Sequence, residues 1–280
     1  MKNKEQQKIG LIAGNGTLPK SVIKACQEQG IPLFVIGLKG HADSNLLSGV
    51  SGAFVRLGSI GKIVRLLKKN NVKKIIFIGG VRRPSIPEIM PDLTAFSLLV
   101  KVGFKLLGDN QLLEIILNEA EKLGFQVVGA DSIVPELIAP EGIYGKIKPD
   151  SKDTADIMRG IQVAKTLGQV DVGQAVIVQH GLVLSVEGIE GTASLIKRTA
   201  DLKRKGGGGV LIKVSKPQQD KRVDLPTIGP ATVQSVFDAG FKGIAVEAGS
   251  SLLAEPEKMV ALADKLGIFV MGVKGKKLNL

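Results

Sequence analysis

Between Lys213 and Asp224 the chain places four bases, Lys213, Lys216, Lys221 and Arg222, and two acids, Asp220 and Asp224; Pro226, Gly229 and Pro230 follow. A carboxylate among cations can orient or deprotonate a water or hold a divalent metal, while the cations neutralise phosphate oxygens. Asp224, set between Arg222 and a rigid proline turn, is the candidate acid or base, with Arg222, Lys213 and Lys216 as phosphate partners. Pro230 suits the first position of a helix whose positive end would face this loop and favour an anion. The bland alternative is a solvated charge run.

A second cluster, Glu187, Glu190 and Thr192, puts two carboxylates three residues apart, a spacing that could bind Mg²⁺ through oxygen ligands. Thr192 also reads as an ordinary helix cap. His41 and His180 are the only histidines, which excludes a multi-histidine zinc site within one chain. Near the N-terminus, Gly14-Asn15-Gly16-Thr17-Leu18-Pro19-Lys20-Ser21 resembles two phosphate-binding signatures and satisfies neither. Both a Walker A loop and a dinucleotide fingerprint need glycine where Pro19 stands, and no acid ends the second strand to clamp a ribose. What remains is a glycine turn that lets backbone approach a ligand, opening into a helix N-terminus. Gly79-Gly80-Val81-Arg82-Arg83-Pro84 leaves a later strand at the same sheet edge, and arginine offers a planar fork for phosphate. Asp109 reads as a helix cap, and Cys26 as core.

These residues need elements to hold them. Strands are expected at Ile9–Ala13, Ile31–Leu38 and Lys74–Ile78, with helices at Pro19–Gln29 and around Ile63, Leu66 and Leu67. Strand-helix alternation predicts a parallel sheet covered by helices. A long helix through Leu112, Leu113, Ile116 and Leu117 should stop at Gly124, with Phe125–Val128 completing the sheet. Pro135, Pro140, Gly142 and Gly145 interrupt both periods. The expected division is therefore a Rossmann-like domain over 1–134, a linker over 135–148 and a mixed α/β domain over 149–280. In the last of these, Thr154–Leu167 reads as a helix and Ala175–Val178 with Leu182–Val186 as a hairpin turning at Gln179-His180-Gly181. A helix over Ser194–Leu202, a strand over Val210–Val214 and a helix carrying Val233, Val236 and Phe237 follow. Phe241–Val246 and Ile268–Val273 bracket a helix around Met259 and Leu262.

Composition narrows the function. Of 280 residues, 44% are hydrophobic and 23% charged, as in a globular protein that folds by burial. The opening apolar run is too short for a signal peptide and no stretch is long enough to span a membrane, so a cytoplasmic location is expected. A lone cysteine agrees with a reducing compartment. The formal charge is +12, with the bases spread along the chain, which suits a polyanionic partner. With no Trp, a single Tyr and no interleaved aromatics, nucleic acid is the weaker choice and phosphorylated small molecules or an anionic membrane surface the stronger.

Taken in order, IGLIAGNGTLP, GGVRRP, VEGIEGTASLI and KPQQDKRVDLPTIGPATV resemble the LpxI family of UDP-2,3-diacylglucosamine pyrophosphatases along nearly the whole chain. The resemblance implies a Rossmann-like N-terminal domain and a separate C-terminal domain enclosing an active cleft. It also implies Mg²⁺-dependent hydrolysis of UDP-diacylglucosamine to UMP and diacylglucosamine 1-phosphate, in lipid A synthesis. The family's essential aspartate falls on Asp224. The catalytic set expected is Asp224, Arg222 and Lys213, with Asp224 and Glu190 toward the metal. Substrate contacts are expected from Gly14, Asn15, Gly16, Leu18, Arg82, Arg83, Thr192, Lys216, Gln218, Thr227 and Gly229. Expected partners are a UDP-linked glycolipid, the inner membrane surface and a second copy of the chain, and no nucleic acid. Two alternatives stay open: a nucleotide-binding oxidoreductase, and a non-catalytic binder of acidic lipid or RNA.

Overall fold

A computed structural model describes residues 7–82, 91, 92, 94–96 and 109–274, with side chains from 113 onward in the last stretch. The chain divides into two compact units, Met1–Pro135 with Arg222–Asp224, and Glu136–Lys221 with Leu225–Leu280.

In the first unit, strands β1 (Ile9–Ala13), β2 (Leu33–Leu38), β3 (Gly52–Val55), β4 (Lys74–Ile78) and β5 (Gln126–Val127) form one sheet in the order β3-β2-β1-β4-β5. Every pairing is parallel. The helices described are α1 (Leu18–Glu28), α2 (Ile60–Lys69) and α3 (Asp109–Lys122). The continuous apolar runs IGLIA and, after Lys74, IIFI are what a sheet buried on both faces requires. Ile12, Ile36 and Ile75 join one cluster with Ile63 and Leu67 of α2 and Leu117 of α3. Their neighbours Leu11, Val35 and Ile76, which point to the opposite face, are fully buried as well. Strand order reverses between β1 and β4, so this is the switch point at which open α/β sheets collect ligands beyond their carboxyl ends.

The second unit carries a six-stranded sheet, β6 (Gly142–Tyr144), β7 (Ala175–Gln179), β8 (Leu182–Val186), β9 (Val210–Lys213), β11 (Gly243–Glu247) and β13 (Phe269–Val273), in the order β6-β13-β11-β9-β7-β8. The middle strands β9, β11 and β13 run parallel, while β6 and β7 pair antiparallel at either side. A two-stranded parallel pair, β10 (Thr227–Ile228) and β12 (Leu252–Leu253), lies apart from it. Helix α4 (Ser151–Gln169) packs Ile157, Ile161 and Ala164 on one face of the large sheet, against Val176, Val210 and Ile212. Helices α5 (Gly191–Thr199), α6 (Pro230–Asp238) and α7 (Pro256–Leu266) cover the other, with Leu195, Val233 and Met259 against Ile177, Leu211 and Ile244.

Residues 135–148, expected as a linker, hold the short turn Pro135–Leu137 and strand β6, whose Tyr144 pairs with Val270. A three-residue edge strand that starts on Gly142 and is followed by Gly145 is too short to show a period. Of the apolar residues expected on α6, Val233 and Val236 are buried and Phe237 is 44% exposed. No helix among the described residues is long and apolar enough to cross a membrane.

Candidate active site

The first unit presents its candidate residues at the carboxyl ends of β1 and β4. The turn after β1 and the turn after β4 pair with each other: Asn15 N–H donates to the Gly80 carbonyl at 2.8 Å and Gly80 N–H to the Asn15 carbonyl at 3.1 Å. This closeness dictates the glycines. A Cβ at Gly14 would lie 2.3 Å from the Gly80 oxygen, and one at Gly79, already at φ +90°, would lie 2.5 Å from the Asn15 oxygen. Gly16 is different, since its φ of +96° selects glycine while a Cβ there would meet nothing. Leu18 then buries itself as the first residue of α1, with Pro19 behind it. The N-cap residue Thr17 makes no side-chain cap and the first turn holds no acid. Lys20 is tied to Asp43 at 2.5 Å, which holds the Asp43 carboxyl below its usual range. Arg82 sits beside the same edge, its N–H donating to His41 Nδ1 at 3.3 Å. Arg83 lies outside the described residues.

The second unit gathers its chemistry at the carboxyl ends of β9 and β11. Lys213 ends β9 with its side chain buried, and its Nζ donates to the Thr227 carbonyl at 3.0 Å. Beyond it the charged loop is fastened at several points. Glu247, ending β11, accepts on one oxygen from Ser215 N–H (3.0 Å), Ser215 Oγ (2.7 Å) and Lys165 Nζ (2.6 Å). Lys165 also reaches the Ser215 carbonyl at 2.9 Å. Lys216 Nζ pairs with Asp171 at 2.6 Å, and Gln218 Nε2 donates to the Gly168 carbonyl at 2.8 Å. Both are therefore turned to the C-terminal end of α4, where they fasten the loop. Lys221 Nζ donates to Ser250 Oγ at 2.9 Å. Gly229 is the N-cap of α6, Pro230 opens that helix as its sequence requires, and Leu252 N–H closes on the Pro226 carbonyl at 2.7 Å.

Arg222–Asp224 count with the first unit. There Val223 packs on the apolar cluster around Leu117, and the Arg222 guanidinium pairs with Glu121 at 2.6 Å with both side chains about two-fifths exposed. Asp224 is half-buried. The other expected metal ligand, Glu190, is engaged: Arg198 donates to its Oε1 through Nε (3.1 Å) and Nη2 (2.7 Å), and Gly188 N–H to its Oε2 (3.1 Å). Arg198 holds the Glu190 carboxyl below its usual range. Thr192 Oγ1 donates to the buried Glu187 at 2.6 Å, which also accepts from Gln174 N–H at 3.1 Å. Thr192 thus fastens the start of α5 to the residue that follows β8.

Sequence reasoning missed Lys165, Ser215, Glu247 and Ser250. One sign was available: Glu247 closes the apolar run GIAVE, and an acid at the carboxyl end of a fully buried strand needs a partner.

Residues 8–137 match the LpxI N-terminal domain and residues 140–271 the LpxI C-terminal domain. The UDP-2,3-diacylglucosamine pyrophosphatase LpxI of Caulobacter vibrioides is 41% identical over 276 residues, spanning 95% of this chain and 98% of the relative. Among solved structures, a UDP-glucose 4-epimerase of Thermus thermophilus in complex with NAD aligns over 98% of this chain and 88% of its own, at 13% identity and a TM-score of 0.32. CobK precorrin-6A reductase aligns over 96% and 89%, at 8% identity and the same score. At such scores neither likeness bears on fold or ligand.

Proposed function

Because the chain belongs to the LpxI family, we propose that it hydrolyses the pyrophosphate bond of UDP-2,3-diacylglucosamine, releasing UMP and 2,3-diacylglucosamine 1-phosphate for lipid A synthesis. The observation that carries this reading is 41% identity along almost the full length of both chains, with both family domains in order.

Asp224 is the group to which we assign the water. Its carboxylate accepts the proton as the water oxygen bonds to phosphorus, and the bridging P–O bond breaks with its electron pair leaving on the departing phosphate. Attack at either phosphorus gives the same two products. Lys213 and Arg222 neutralise the charge that develops on the phosphoryl oxygens. The Glu121 partner of Arg222 is half-exposed, so a doubly charged pyrophosphate competes for the guanidinium at small cost. Gly14, Asn15, Gly16 and the first amides of α1 receive the nucleotide, aided by Arg82.

Mg²⁺ is the metal we assign. Among the described residues no three His, Cys, Asp or Glu side chains cluster as a metal cage. Mg²⁺ is commonly held by one or two carboxylates together with substrate phosphates and water. Asp224 would hold it, whereas Glu190 is committed to Arg198. When bound, the ion neutralises phosphate charge and polarises the phosphorus.

The test is to incubate the purified protein with UDP-2,3-diacylglucosamine and Mg²⁺ and to follow UMP by chromatography. UMP should accumulate, and Asp224→Asn should lower kcat by about 10²-fold to 10⁴-fold, the reach of general base catalysis, while still binding substrate. Absence of UMP with every divalent metal tried would overturn the activity. Wild-type turnover by the variant would remove Asp224 from the chemistry.

A further inference from the structure

The bases are spread along the chain, but the acids are not. From Ser44 to Pro87 the sequence has nine Lys and Arg residues and no Asp or Glu, so this stretch carries nine of the twelve excess positive charges. Five of those bases meet on one surface of the first unit. Lys62, Arg65 and Lys69 stand at i, i+3 and i+7 along α2, on the side opposite its buried Ile63 and Leu67. Lys68 flanks them, and Lys73 leads into β4; all five are exposed.

None of the five has an ion pair among the described residues. A helix face that is merely solvated usually interleaves both signs, as α1 does with Lys24 and Glu28 at 3.6 Å. Helix α2 has no acid of its own. Among the described residues, the carboxylate that bonds to it is Asp92, which sits at its N-terminus and accepts from Gly61 N–H at 2.8 Å. The basic end lies at the amino-terminal edge of the sheet, the edge away from the glycine turns of Gly14 and Gly79.

We propose that this acid-free face of α2, continued by Lys73, docks the enzyme on an anionic lipid bilayer. A single-sign cluster of four to eight bases is what the negative surface of a membrane attracts. Residues 60 to 74 contain no aromatic side chain on which a base could stack, which disfavours single-stranded nucleic acid. The choice of lipid also rests on the proposed substrate, since a diacyl glycolipid resides in a bilayer and surface attachment raises the enzyme's concentration where that substrate is.

The test uses the full chain with no substrate present. Protein is mixed with phosphatidylcholine vesicles, with or without phosphatidylglycerol, and the vesicles are sedimented. Binding should require phosphatidylglycerol and disappear at high salt. The variant K62Q/R65Q/K68Q/K69Q should partition about a hundredfold less or weaker still, yet hydrolyse detergent-dispersed substrate as the wild type does. R65Q/K69Q should fall between the two, and it decides the matter if the fourfold variant does not fold. Equal sedimentation with and without phosphatidylglycerol would overturn the proposal, as would variants that bind like wild type. Tighter binding of single-stranded RNA than of vesicles through these same residues would overturn it in favour of nucleic acid. Vesicle binding is read without turnover, so it stands or falls separately from the hydrolysis assay.

Discussion

Glu247→Gln probes the root of the charged loop. One oxygen of Glu247 accepts from the amide and hydroxyl of Ser215 and from the Lys165 ammonium, with the side chains of Lys165 and Glu247 only 20% and 12% exposed. Removing one partner of a buried ion pair costs about 3–5 kcal/mol. Glutamine retains the shape and one acceptor, and Lys165 keeps the Ser215 carbonyl at 2.9 Å, so the expected loss is smaller, about 1–3 kcal/mol. The loss should show in urea unfolding as a lower midpoint at an unchanged slope. Because Ser215 is where the loop leaves β9, its displacement should also reach the chemistry, where a misplacement on the order of 1 Å can cost 10²-fold. We expect kcat to fall about tenfold or more with a lesser change in KM, the signature of positioning. Lys165→Met alone should destabilise similarly, and the double variant by less than the sum, because the charge left behind in each single variant is gone. Glu247→Gln within about 0.5 kcal/mol of wild type and with full kcat would refute the reasoning, as would strict additivity with Lys165→Met.

Gly14→Ala places a methyl 2.3 Å from the Gly80 oxygen and should destabilise by about 1–3 kcal/mol, whereas Gly16→Ala suffers only its left-handed backbone, about 1 kcal/mol; thermal unfolding of both checks the order. Arg222→Ala should move melting little, since its partner Glu121 is half-exposed, but should raise KM or lower kcat; unchanged kinetics would leave it a surface residue. Asp150, N-cap of α4, is held at about 2 by Lys242 and by amides of the first turn. A depressed carboxyl stabilises the fold above its unfolded value near 4, and this contribution is lost as pH falls towards about 2. Asp150→Asn should therefore melt below wild type at neutral pH, with the gap closing in acid. A gap that stays constant across that window would reject the Lys242 assignment.

The first sheet was legible because its strands are buried on both faces: Ile9–Ala13 and the IIFI that follows Lys74 stand out as uninterrupted apolar runs, and the expected bounds match the structure. Strand β3, GAFV, was not expected; it is short, starts on glycine and is exposed at one end, so neither length nor period marks it. The paired strands β10 and β12 have two residues each and cannot be seen by periodicity at all. The hairpin over β7 and β8 was legible through its turn, in which His180 and Gly181 both have positive φ, as a two-residue loop of this hand demands.

The site was legible to a different degree, and Lys216 shows why. Residue type and neighbours made it a phosphate ligand, since it shares a proline-containing segment with three further bases, Lys213, Lys221 and Arg222. Its partner, Asp171, lies 45 residues earlier, and the donors and acceptors that fasten Ser215 lie 50 residues before and 32 after. Sequence adjacency records which charges travel together along the chain, and it records nothing of the carboxylates that fold against them. Arg222 and Lys216 look alike in sequence, yet Lys216 is 13% exposed against its carboxylate whereas Arg222 is 41% exposed against its own. A buried pair resists exchange because opening it strands a desolvated charge, while an exposed pair trades one anion for another at little cost. Of the two, Arg222 is therefore the base that the proposed site would hand to a pyrophosphate, and Lys216 the one that fastens the loop to the end of α4.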